Sequence, residues 1–262
     1  MTNFYPMTDE TMLNKLPSDR RYGFRGWSTA KFDVDKGRNM EYFDLENEIV
    51  KRATNLYPYY ETEDVREVAT SEDYFYLDGT TLKLKPEYIN SISGKITIPD
   101  KVGATAVGGF QGCPGITHVY FLRDSSQYKA IANYGFAETE NLVFVELPAS
   151  VNTIGEYAFQ SAKSLKTINL DNITTINKYA FAGGGGLILK LELNELPTGL
   201  TGTIGDHAFF NAGPGVVITK IPNGVHTIDQ YAFTLCENVK ISNFGSNDNS
   251  SALYYIADSA FR

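Results

Sequence analysis

With 262 residues and 31 acidic against 23 basic side chains, the chain carries a formal charge of −8, which leaves no electrostatic footprint for nucleic acid. A hydrophobic share of 42% beside 21% charged residues is that of a folded chain. No stretch approaches the ~20 apolar residues of a membrane-spanning helix, and two cysteines cannot build a disulfide framework.

The first residues, MTNFYPMTDETMLNKLPSDRR, lack the basic and apolar regions of a secretory signal. Residues 1–68 show no repeat and have a mixed-charge texture. Within them Tyr22-Gly-Phe-Arg-Gly-Trp27 reads as an irregular, aromatic-anchored loop. Glu41 to Leu56 reads as an amphipathic helix with Leu45, Ile49, Ala53 and Leu56 on one face, stopped before Pro58. Next, Tyr74-Phe-Tyr-Leu77 and Leu82-Lys-Leu84 flank Asp78-Gly79, a strong hairpin signal. The hairpin over 74–84 is expected to form the N-terminal cap of the repeats downstream of it.

From about residue 92 the chain repeats. Ile131-Ala-Asn-Tyr-Gly-Phe136, Ile154-Gly-Glu-Tyr-Ala-Phe159 and Ile176-Asn-Lys-Tyr-Ala-Phe181 are successive copies. Ile204-Gly-Asp-His-Ala-Phe209, Ile228-Asp-Gln-Tyr-Ala-Phe233 and Ile256-Ala-Asp-Ser-Ala-Phe261 continue them, and Val107-Gly-Gly-Phe110 is a shortened first copy. The Phe residues recur at intervals of 26, 23, 22, 28, 24 and 28, a spacing in or near the leucine-rich-repeat range. Upstream of each block runs a short alternating strand, as in Ile96-Thr-Ile98-Pro99, Leu142-Val-Phe-Val145-Glu-Leu147-Pro148 and Leu165-Lys-Thr-Ile168-Asn-Leu170. No unit can bury its apolar face alone, so the units stack into a solenoid with a Phe ladder inside. In the later repeats alternation makes Leu191 and Leu193, Val216 and Ile218, and Val239 and Ile241 the inward pairs, with a bulge before the turn.

The I-G-x-Y-A-F block with its L-x-x-V-x-L-P strand resembles the BspA-like leucine-rich-repeat family, over about Ile96 to Phe261. The resemblance, with the repeat, predicts an α/β repeat solenoid: a parallel strand ladder with short helical or 3₁₀ turns over 69–262, beside a small irregular segment with one helix over 1–68. Many members of that family are surface proteins of bacteria and protists, and several act as adhesins, so the resemblance implies a surface-exposed binding role.

Candidate chemistry is sparse. His207 occupies the slot held by Tyr134, Tyr157, Tyr179 and Tyr231, while His118 lies in a strand and His226 in a turn, none with a ligand at metal spacing. Those tyrosines read as structural, or in part as the lining of a binding groove. Cys113 and Cys236 each sit three residues after a repeat Phe, in a small-residue core slot. Five repeat steps, ~25 Å, separate them, against the ~7 Å that a disulfide tolerates, so both should be free thiols. Gly183–Gly186 has no following Lys-Ser/Thr, and Asn247-Asp-Asn249 lacks the Gly and Glu of a calcium loop. The reading is therefore of a non-enzymatic protein with no metal or cofactor. Its expected function is binding or adhesion to a protein or surface glycan, through outward strand positions His118, Tyr120, Phe144, Glu146, Thr167 and Asn169. An alternative is a structural part of an assembly such as a phage virion appendage, with residues 1–68 attaching it to an oligomer or particle. The last repeat, ending at Phe261-Arg262, would be covered by a partner or by further chain.

Overall fold

A computed structural model describes residues 20–28, 42–43, 57–64, 69–122, 125–184, 188–244 and 253–262. The chain divides into two compact units, Met1–Val68 and Ala69–Arg262.

The described part of the first unit is an antiparallel sheet of three strands, β1 (Arg20–Ser28), β2 (Tyr42–Phe43) and β3 (Tyr57–Asp64), with β1 in the middle. The loop expected at Tyr22–Trp27 is thus a strand. Aromatic residues are frequent in strands, and a bulge between Phe24 and Gly26 interrupts the alternation that would have revealed this one. Of the helix expected over Glu41–Leu56, the described portion is β2, which pairs Tyr42 with Ser28 and Phe43 with Trp27. The remainder lies outside the described residues. Pro58 does not mark a helix end but stands inside β3 opposite Trp27. The edge position of that strand makes the missing donor tolerable.

The second unit opens with the hairpin of β4 (Phe75–Asp78) and β5 (Thr81–Leu84), paired from Phe75↔Leu84 to Asp78↔Thr81. Gly79 supplies the positive φ of 58° that the turn requires. From β5 onward the chain winds as a coil with two parallel ladders. One runs through β6 (Gly94–Ile98), β8 (Ile116–Phe121), β10 (Phe144–Val145) and β12 (Thr167–Ile168). It continues through a bridge between Leu193 and Val216 to β15 (Ile218–Lys220) and β17 (Val239–Asn243). The other extends from β5 through β7 (Ala106–Gly108), β9 (Ala130–Ile131), β11 (Thr153–Ile154) and β13 (Thr175–Ile176). It then passes through β14 (Thr201–Ile204) and β16 (Gly224–Ile228) to β18 (Tyr255–Ile256).

A turn forms the third side. There every second N–H bonds forward to the next coil: Phe136 N–H to Ala158 O at 2.8 Å, Phe159 to Ala180 at 2.8 Å, and Phe233 to Ala260 at 2.7 Å. This overturns the expected α/β character. Among the described residues the only helical elements are two 3₁₀ turns, Glu72–Tyr74 and Pro86–Tyr88, both ahead of the repeats. The physical cause lies in the slot before Ala-Phe. Tyr134, Tyr157, Tyr179, His207 and Tyr231 all have φ between 54° and 58°, which stops a right-handed helix after a few residues. Alternate donors, as at Tyr157 and Phe159, go to the next coil, while those of Ala158, Gln160 and Ala162 bond three residues back within the turn.

The core is a consequence of this winding. Val107, Ile131, Ile154, Ile176, Ile204 and Ile228 are buried in one file beneath the second ladder. Phe110 to Phe261 form a stacked ladder with neighbouring ring centroids 4.8–5.5 Å apart and planes within 14°. Leu191, Val216 and Ile218 are buried, and Leu193, Val239 and Ile241 pack against the core half-buried. Thr219 and Ser242 are exposed, and the pairing of β15 with β17 shifts between Ile218 and Lys220. The alternation rule therefore chose the inward face correctly.

Candidate functional site

Parallel pairing without slippage turns each outward strand position into a row along the solenoid axis. In the first ladder Lys95 stands beside His118, His118 beside Phe144, and Phe144 beside Thr167. The row is therefore four coils long and changes chemistry at every step. The rings of His118 and Phe144 lie 5.8 Å apart, tilted by 35°. His118 and Phe144 are half-buried and Thr167 is exposed. Burial, and secondly the charge of Lys95, hold the His118 imidazolium pKa below its ordinary value. The ring is thus a neutral hydrogen-bonding and stacking group at neutral pH.

The other three expected site residues form a second row with a different character. Tyr120 points the same way as His118, since Val119 and Phe121 on either side are core, yet it is fully buried, against Phe144 at 5.5 Å. It underlies the surface rather than forming it. Glu146 is half-buried beside it. Asn169 is exposed, but its amide is spent on the fold: Oδ1 accepts from Leu147 N–H at 2.6 Å and Nδ2 donates to Leu147 O at 2.9 Å. The bond pair closes the backbone where the two-residue strand ends. Asn177 does likewise for Ile154 O at 2.9 Å. The structure thus brings His118, Phe144 and Thr167 together as accessible groups.

A second aromatic row was not foreseen as such. Tyr134, Tyr157, Tyr179 and His207 stack with centroids 4.4–4.8 Å apart, and Tyr231 meets His207 at 4.7 Å, tilted by 36°. Tyr134 is 43% exposed and the other four are half-buried. Left-handed φ at a non-glycine residue costs ~1–2 kcal/mol, and an aromatic pair returns ~0.5–1.5 kcal/mol beyond its area. The stack thus offsets a strain that glycine or asparagine would relieve. His207 also places Nδ1 2.6 Å from Asp206 Oδ1. Burial, ahead of the neighbouring Asp206 carboxylate, raises the Tyr179 pKa.

The remaining features serve the fold. A shallow groove of about 540 Å³ passes Gly112, Glu138, Glu140, Gln160 and Ser161, but Glu140 is paired with Lys163 at 2.7 Å and Glu138 meets Gln111 at 3.5 Å. Among the described residues no group of three or more His, Cys, Asp or Glu side chains is placed to hold a metal ion. Tyr128 is buried with its hydroxyl donating to Pro99 O, and burial pushes its pKa up to about 12. Both cysteines are free. Cys113 is buried with Sγ 3.2 Å from Ile89 O, and half-buried Cys236 has Sγ 2.9 Å from Phe209 O. Burial raises both thiols, Cys236 to about 11. The thiolate is the nucleophile, so iodoacetamide at pH 8 should label the native protein about tenfold or more slowly than the urea-unfolded chain. Equal rates in the two states would show that the slot is open.

The same coils are matched by a family model, the BspA type leucine rich repeat region, in six copies over residues 88–188 and 188–262. The chain belongs to the BspA-type leucine-rich-repeat family. Solved structures to which the chain is similar include a leucine rich cell surface protein from Faecalibacterium prausnitzii A2-165, 18% identical, with a TM-score of 0.35 over 72% of this chain and 65% of that one. Another is a leucine-rich repeat protein from Bacteroides ovatus ATCC 8483, 19% identical, with a TM-score of 0.41 over 70% of this chain and 53% of that one. A third is the pneumococcal vaccine antigen PcpA, 18% identical, with a TM-score of 0.29 over 64% of this chain and 66% of that one. The chain thus spans 65% and 53% of the length of the first two. No curated protein matches the sequence.

Proposed function

We propose that this BspA-type solenoid is a non-enzymatic binding module of adhesion type, which takes a protein or glycan partner on the outer face of the first ladder. The observation that carries the reading is the in-register row through His118, Phe144 and Thr167. Backbone bonds fix the spacing of these side chains, so they are presented without the ordering cost that a flexible loop would bring to binding. A neutral imidazole, an aromatic ring and a hydroxyl in line supply stacking and hydrogen bonding, the contacts that recognise a sugar or a polar peptide. Family membership supports a binding role in general and leaves the ligand to experiment.

The test uses the full chain on a printed glycan array and on immobilised mucin and collagen. The wild type should bind at least one of these probes. His118→Ala combined with Phe144→Ser should weaken that binding by about tenfold or more, the effect of ~1.4 kcal/mol. Binding that survives the double substitution unchanged, or no binding to any probe, counts against the reading.

A further inference from the structure

The second aromatic row carries phenols that the proposed binding face does not use. Tyr134 and Tyr157 are cofacial, with centroids 4.7 Å apart and planes within 2°. Tyr157 and Tyr179 repeat the arrangement at 4.8 Å and 8°. Each ring is pinned by its own backbone: the N–H groups of Tyr134, Tyr157 and Tyr179 bond to the carbonyls of Glu156, Lys178 and Asp206 at 2.8, 3.0 and 2.9 Å. The three phenols are at least partly open to solvent. His207 then interrupts the series at 4.4 Å from Tyr179, so Tyr231 has a histidine and no tyrosine as its ladder neighbour.

We propose that Tyr134, Tyr157 and Tyr179 are a site of oxidative modification, where a haem peroxidase using hydrogen peroxide couples neighbouring tyrosines into dityrosine and so ties consecutive coils together. Each phenol gives one hydrogen atom to the oxidised haem. The two phenoxyl radicals join through ring carbons ortho to oxygen, and the displaced ortho hydrogens move to the oxygens to restore both phenols. The pair has lost two electrons and two protons, and one hydrogen peroxide has become two waters. Cofacial stacking favours this outcome over intermolecular coupling because the second radical forms next to the first, at high effective concentration. The link closes between coils that already bond to one another, so it requires ring movement and no change of fold. Buried Tyr128, its hydroxyl held by Pro99 O, stays outside the reaction. Tyr74 and Tyr88 also meet, at 4.6 Å, but edge to face at 85°, and they lie ahead of the repeats.

The experiment treats the full chain, at a dilution that suppresses intermolecular coupling, with horseradish peroxidase and hydrogen peroxide. Dityrosine fluorescence is monitored, and cross-linked peptides are mapped by mass spectrometry. Expected are links between Tyr134 and Tyr157 or between Tyr157 and Tyr179, each with the loss of two hydrogen atoms, and no ladder link reaching Tyr231. Tyr157→Phe keeps the ring stack, checked by an unchanged circular dichroism spectrum, and should abolish both links. H207Y should add a link to Tyr179 or Tyr231. The proposal is overturned by links confined to Tyr74 and Tyr88, by a wild-type ladder link that includes Tyr231, by Tyr157→Phe with undiminished ladder coupling, or by H207Y without a new link.

Discussion

Phe159→Ala should cost ~3–5 kcal/mol in a urea or guanidinium melt, the range for emptying a buried phenylalanine site. Phe159 has no exposed surface and stacks on both sides, on Phe136 at 5.5 Å and on Phe181 at 5.4 Å. Its N–H and C=O lie in the bonded turn, so the backbone cannot collapse into the space without breaking contacts with two coils. Because each coil touches only its neighbours, the damage should divide the solenoid into halves of unequal stability. A broadened or two-step transition is then expected beside the shift. A loss below ~1 kcal/mol at Phe159 would be incompatible with a ring at the centre of the ladder.

Gly213→Ala should be nearly as damaging, at roughly 2–5 kcal/mol, and for a backbone reason. Gly213 has a φ of +91°, outside the range that L side chains readily adopt, and an added Cβ would stand 2.1 Å from Leu189 O. Strain of ~1–2 kcal/mol at positive φ and overpacking of ~1–3 kcal/mol act together there. Gly202 separates the two contributions. Its φ is +71° but nothing lies within 4 Å of a new Cβ, so Gly202→Ala should cost only ~1–2 kcal/mol. Thermal or chemical melts that rank Gly202→Ala above Gly213→Ala would mean that the coils are not spaced this closely.

The parts of the molecule that repeat were legible because repetition averages out local ambiguity. Six copies of an Ile and a Phe at fixed offsets identify the core file and the ring ladder, and Asp78-Gly79 identifies the hairpin. The turn after each Ile was read as helical because short apolar spacing does not distinguish a helical turn from a left-handed corner. What decides between them is the bond from the N–H of Tyr134, Tyr157 and Tyr179 to the next coil, a partner more than 20 residues away in sequence. In the first unit no repeat was available, and the bulge between Phe24 and Gly26 broke the strand alternation. Of the six expected surface residues, alternation placed all on the outward side. It could not show that Tyr120 is buried or that Asn169 is committed to Leu147, since both depend on what lies across the strand. The tyrosine slot was visible in sequence, but its stacking appears only in the fold, which sets neighbouring rings 4.4–4.8 Å apart.

If the solenoid meets its partner along one backbone-ordered row of side chains, the contact should be visible residue by residue. The most direct test is carbene footprinting of the full chain, free and bound to whichever array glycan, mucin or collagen it retains. Protection is expected to concentrate at His118, Phe144 and Thr167, with labelling unchanged at Thr153, Thr175 and Thr203 on the second ladder. Protection confined to the second ladder, or spread evenly over both, would contradict a single binding row.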